Sequence, residues 1–275
     1  MAMIMPVKQV VDKRSFSNKC KYCRISTLCL PAKVEKKTLK KINELKFNSR
    51  VLKPGEYLCR QGELSKNLFA LPSGPLKSFT TKADGQEYIM GFHAPPELFG
   101  WEGIDQSQKS LSIIALDHSN VCEIPLEKLA TVGALIPGLE AQILHLVSQR
   151  IRRDNLNLLR TSAEQRVASF LLQLSEQNSL LGYPFYLCRL KMTHQDIANY
   201  LRIAPETISR TFRTLQKKGL IKAVRKKIFL NDIDGLKHIG EFDIDYVGPT
   251  NQDIPRDKID MSASEFEEEI VTDQF

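Results

Sequence analysis

From about Val51 to Pro125 the chain consists of short apolar runs broken by glycine-bearing turns: Pro54-Gly55-Glu56, Gln61-Gly62-Glu63, Ser73-Gly74 and Asp84-Gly85-Gln86-Glu87. Strands this short at this spacing predict a β-sandwich or barrel-like roll. The Asp-Gly pair between Phe79-Thr80 and Tyr88-Ile89 predicts a hairpin. The period then changes. Between Gly138 and about Ser162 there is neither glycine nor proline, and Leu144, Val147, Ile151, Asp154 and Leu158 step by three and four. That stepping puts all five on one seam of a long helix, with an acid in its middle.

Gln165 to Leu174 reads as another helix, and Thr193 to about Lys218 as two helices separated by Arg202-Ile203-Ala204. Leu220 to Leu230 alternates into strands around Arg225-Lys226-Lys227, a basic wing. Residues 1–34 form a cysteine-bearing arm without periodicity. Beyond about Phe242 the acidic, proline-containing tail carries too little apolar surface to offset chain entropy, which predicts disorder. The expected division is arm 1–34, roll 35–136, long helix 137–162, winged helix-turn-helix 163–240 and tail 241–275, an α+β chain.

At 275 residues the chain has room for two domains, and its 42% hydrophobic and 26% charged content is that of a soluble globular protein. No run approaches the roughly 20 apolar residues that span a bilayer, and a secretory apolar run is missing from the N-terminus, so a cytoplasmic protein without a membrane partner is expected. There the six cysteines stay reduced, which leaves thiolates for metal. The formal charge is +7, unevenly spread: residues 241–275 hold eleven acids against Arg256 and Lys258, and the remainder holds 37 bases against 21 acids. A body carrying a net +16 favours a polyanionic partner. With no dinucleotide fingerprint and no nucleophile-base arrangement, an enzyme is not expected.

Two constellations carry chemistry. In Cys20-x-x-Cys23-x5-Cys29 a single turn of chain can point two thiolates at one metal centre, and the third cysteine adds a corner. Spacing alone leaves zinc and iron-sulfur open, and Cys59, Cys122 and Cys188 all remain candidates for a fourth ligand. Cys59 and Cys188 lie in apolar, strand-like contexts that suit core packing. The second constellation runs from Thr193 to Arg213. Thr193 caps the first helix with Asp196 at the reciprocal position, and Pro205 suits the first turn of the second. Ile197, Leu201, Ile208 and Phe212 form inner faces and leave Glu206, Ser209, Arg210 and Arg213 outward. A guanidinium can bond guanine twice and a carboxylate can accept from cytosine, so this face can read a major groove. A two-helix hairpin with a merely solvated face is the plainer reading, and the basic wing that follows favours double-stranded DNA.

At these residues the chain resembles the CRP/FNR family of bacterial regulators, and within it the fumarate and nitrate reduction branch, from Cys20 to about Gly240. The resemblance implies a cyclic-nucleotide-binding-like β-roll, a long dimerisation helix and a winged helix-turn-helix. It selects Cys122, just before Glu123-Ile124-Pro125, as fourth ligand of a 4Fe-4S cluster with Cys20, Cys23 and Cys29. Glu206, Ser209 and Arg210 match the E-x-x-S-R signature for TTGAT half-sites. DNA backbone contacts are expected from Thr193, His194, Gln195, Thr207, Arg213 and Lys226.

Several positions depart from the family pattern. Pro205 stands where cyclic-AMP-responsive relatives have arginine, and Trp101 in Gly100-Trp101-Glu102 would obstruct a ribose. His194 replaces an arginine. Arg202 replaces a turn glycine, where a left-handed backbone costs about 1 kcal/mol. Arg24 adds a cation beside the cluster ligands, and the acidic tail lies outside the pattern.

The expected mechanism is a homodimer active with its cluster and dissolved by oxygen, because paired Asp154 charges across a twofold seam oppose association. RNA polymerase would be recruited through exposed loops that include Asp84-Gly85. The alternative is a small-ligand or cyclic-nucleotide regulator with structural zinc. From another class, an iron-sulfur electron carrier would show no DNA binding that depends on the cluster.

Overall fold

A computed structural model describes residues 44, 47–64, 66–103, 108–136, 138–180, 183–240 and 250–254. The roll has two four-stranded antiparallel sheets built from β1 (Asn48–Leu52), β2 (Tyr57–Cys59), β3 (Asn67–Ser73), β4 (Leu76–Thr81), β5 (Glu87–His93), β6 (Glu97–Phe99), β7 (Ser112–Ala115) and β8 (Ser119–Pro125). Their orders are β1-β8-β3-β6 and β2-β7-β4-β5, which leaves β5 at an edge. Leu52, Phe69, Leu71, Phe99, Ile113 and Val121 fill the space between the sheets, with Phe69 stacked on Phe99 at 5.3 Å. The hairpin forms where Asp84-Gly85 predicts it, with Phe79 opposite Ile89 and Gly85 left-handed.

Helix α1 (Leu126–Leu135) follows the roll and was not expected from the sequence. Its segment is apolar on several sides and contains Gly133, so no 3.6-residue stripe announces it. Gly138, at φ 85°, then turns the chain into α2 (Leu139–Leu159), the expected long helix. A partly buried ionic chain ties α2 to the roll. Arg150 on α2 donates to Glu97 at 3.2 Å, Glu97 meets His93 Nδ1 at 2.9 Å, and His93 Nε2 meets Ser78 at 3.0 Å. Burial raises the Glu97 carboxyl, but His93 and Arg150 outweigh it and hold the group below its ordinary value.

The C-terminal domain comprises α3 (Ala163–Leu180), β9 (Leu187–Arg189), α4 (His194–Leu201), α5 (Pro205–Lys217), β10 (Ile221–Val224), β11 (Lys227–Leu230) and α6 (Ile233–Gly240). Its strands pair in the order β10-β11-β9. Val167, Leu171, Ile197, Ile208, Leu215 and Leu236 are almost wholly buried in one core. Within the span expected to be disordered, Thr250–Ile254 is folded, which corrects that expectation. Asn251 Oδ1 accepts from Ile233 N–H at 2.6 Å and caps α6, while Ile254 is 6% exposed in the domain core. One apolar residue and the hydrogen bonds of Asn251 to Asp232, Ile233 and Asp234 hold this piece, too little to register in a composition argument.

Candidate nucleic-acid interface

Local chemistry builds the reading head. Thr193 Oγ1 accepts from Asp196 N–H at 3.0 Å while Asp196 accepts from Thr193 N–H at 3.1 Å, the reciprocal cap expected from the sequence. Pro205 occupies the first turn of α5, where its missing N–H leaves no bond unmade. Ile208 and Phe212 are buried at 0% and 4% exposure and fix the rotation of α5. Glu206, Arg210 and Arg213 are therefore exposed on its other face, with Ser209 and Thr207 half-buried beside them. Thr193, His194 and Gln195 are exposed at the start of α4, and Arg225 and Lys226 at the wing tip. An open cleft of about 560 Å³ between the start of α3 and α5, lined by Glu164, Gln165, Thr207 and Arg210, adjoins this face. Its chemistry fits a nucleic acid: guanidinium and carboxylate for base edges, with hydroxyls, an amide, an imidazole and an ammonium for phosphates.

The turn between the helices is left-handed at Arg202, with φ 55° and ψ 46°, as its place at a turn glycine implied. The guanidinium donates to Asn199 O at 3.0 Å and to Ile89 O at 3.1 Å, contacts that offset the strain. Arg166, absent from the expected site, donates from α3 to Leu201 O at 2.9 Å and Arg202 O at 3.1 Å. It thereby satisfies carbonyls at the end of α4. No local motif marks this role, since the two carbonyls lie 35 and 36 positions away.

The other expected residues are distributed as follows. Cys20, Cys23 and Cys29 lie outside the described residues. Cys122 is half-buried on β8, paired with Ser49 on β1 and Ala70 on β3. Its neighbour Val121 points into the roll core, so strand alternation turns Cys122 to the opposite face. Cys59 and Cys188 are 5% and 1% exposed, and burial pushes their thiols up to about 11 and about 12. On α2, Leu144 and Ile151 are 66% and 56% exposed, with Val147 half-buried between them. Asp154 and Leu158 fall within the same helix, and their side chains lie outside the described residues.

Residues 165–239 match the Crp-like helix-turn-helix domain and residues 49–134 the cyclic nucleotide-binding domain. The chain is 38% identical over 220 residues to the transcriptional activator FnrA of Stutzerimonas stutzeri, covering 79% of this chain and 90% of that one. The chain belongs to the CRP/FNR family. Within that family it is 39% identical to the activator Anr of Pseudomonas aeruginosa over 78% of this chain and 88% of the relative. It is 32% identical to the fumarate and nitrate reduction regulatory protein of Yersinia pestis, over 86% and 97%. FixK2 of Bradyrhizobium japonicum shares the fold, with a TM-score of 0.60 at 21% identity over 70% of this chain and 96% of that one. As a CRP/FNR protein of FNR/Anr type, the chain is a DNA-binding transcription regulator and not an enzyme. No helix among the described residues is long and apolar enough to cross a membrane.

Proposed function

We propose that this chain is an oxygen-responsive regulator of anaerobic gene expression. It binds TTGAT-type inverted repeats as a homodimer while Cys20, Cys23, Cys29 and Cys122 hold a 4Fe-4S cluster. The observation that carries the reading is the contrast among the described cysteines. Burial holds Cys59 and Cys188 as protonated thiols, whereas Cys122 sits half-buried on the face of β8 turned away from the roll core. A metal ligand must be a thiolate, the form that burial disfavours at Cys59 and Cys188, and this supports Cys122 as the ligand among the three. When bound, such a cluster supplies an oxygen-labile tie between arm and roll.

The chain's own residues carry the rest. Leu144 and Ile151 expose an apolar seam on α2 that a second copy can cover. Arg150, next to that seam, connects it through Glu97 to the roll that bears Cys122. Asp154 on the same helix opposes close approach of two copies, so the dimer is marginal and a few kcal/mol suffices to tip it. In the dimer the two α5 helices read successive major grooves, Glu206, Ser209 and Arg210 at base edges and Thr193, His194, Gln195, Thr207, Arg213 and Lys226 at phosphates. RNA polymerase is met in the cytoplasm through loops that include the exposed Asp84-Gly85 turn.

Iron and sulfide analysis of anaerobically purified variants tests the ligand set. Cys122→Ser is expected to lose iron, sulfide and specific DNA binding together, while Cys188→Ser keeps all three. Iron retained in Cys122→Ser, or lost in Cys188→Ser, would overturn the assignment.

A further inference from the structure

The edge of the roll meets the helix-turn-helix through contacts that DNA reading does not use. The Asn199 carboxamide on α4 accepts from Ile89 N–H at 2.8 Å and donates to Glu87 O at 2.9 Å. Its side chain thus takes the place of a neighbouring strand along the free edge of β5. Arg202 donates to Ile89 O at 3.1 Å, and its guanidinium lies 5.4 Å from the centre of the Tyr88 ring. Lys77 on β4 reaches Asp196 at 2.8 Å, using the carboxylate oxygen that the helix cap leaves over. Burial raises that carboxyl, and the Lys77 and Thr193 donors bring it below its usual value. Beneath these polar contacts Phe92 of β5 packs at 5.1 Å on Tyr200 and at 6.0 Å on Phe170, joining the strand to the C-terminal core.

We propose that Asn199 and Arg202 latch the helix-turn-helix to the edge of β5, so that the roll sets the position of the reading helix α5. The latched side of the motif is separate from its reading side, since Glu206, Arg210 and Arg213 remain exposed while the latch is closed. It therefore positions α5 without covering it. Arg202 serves this purpose better than the turn glycine it replaces, because only a side chain at that point can reach Ile89.

The consequence rests on the dimeric reading proposed above. Two α5 helices must enter grooves one helical turn apart, and each swivel between roll and reading head loosens that spacing. A latch removes the swivel before DNA arrives, which favours binding by preorganisation and makes the dimer discriminate between half-site spacings.

The test uses the full chain as an anaerobically prepared dimer, with inverted repeats of family spacing and with one base pair inserted. Asn199→Ala removes the strand mimic. Arg202→Gly removes the guanidinium while easing the left-handed turn, so weaker discrimination in it does not reflect a damaged motif. Both variants are expected to speed amide exchange at Ile89 by about tenfold or more. Both should lower the preference for correct spacing by roughly fivefold to tenfold while leaving affinity for random DNA within about twofold. Ile89 exchange at the wild-type rate in both variants would show that the latch does not exist in solution. Faster Ile89 exchange with spacing preference intact would show that it does not position α5. A wild-type chain indifferent to spacing would instead refute the two-site dimer, and Ile89 exchange, measured without DNA, would still decide whether the latch forms.

Discussion

Helices α2 and α5 both carry an apolar stripe and a charged face, and they end in opposite states. On α5, Ile208, Phe212 and Leu215 are at most 4% exposed, closed against α3 and α4 of the same chain. On α2, Leu144 and Ile151 remain 66% and 56% exposed. The stripe of α5 belongs to a domain closed within one chain, whereas the exposed seam of α2 is the surface that the proposed dimer would cover. Stability of the reading head is thus a property of one chain, and assembly of two heads is a property of concentration, charge and whatever biases α2.

Breaking the α5 side has the largest expected effect. Phe212→Ala leaves a cavity in the C-terminal core and should cost about 3–5 kcal/mol of domain stability, read by thermal unfolding of the full chain. A loss below about 1 kcal/mol would mean that α5 is not held by this core. Arg210→Ala acts on the open face of the same helix. It should cost about 1–3 kcal/mol at a TTGAT site and relax the preference for its guanine, with the fold unchanged. Equal losses on specific and random DNA would remove Arg210 from base reading.

Asp154→Ala sharpens the α2 side. Removing the charge deletes repulsion between copies and adds helix propensity worth a few tenths of a kcal/mol, so sedimentation in air should detect dimer without a cluster. A monomer in air would detach Asp154 from the switch. Lys226→Ala, at the exposed wing tip, has the smallest effect: a uniform weakening on all sequences and a salt slope lower by about 1.

How far these regions were legible in the sequence follows from the range of their interactions. The reading head is specified locally: Thr193 with Asp196, Pro205 and the spacing of Ile208 and Phe212 each leave a mark within a few residues, and each is found in place. The long helix was legible for the same reason, from its seam and from Gly138. Helix α1 was not, because its apolar residues surround it. The Asn199 to Ile89 contact spans 110 positions and the Arg150 to Glu97 contact 53, and neither leaves a periodic trace. Arg202 is intermediate. Its cost was visible as an arginine at a glycine position, but its compensation lies 113 residues away on β5.

The most direct test of the whole account is one titration of a TTGAT inverted repeat with the full chain, anaerobically and again after exposure to air. The account predicts nanomolar-class binding that weakens by about tenfold or more once oxygen has acted, because the two reading heads are no longer held together. The same affinity before and after air would contradict it.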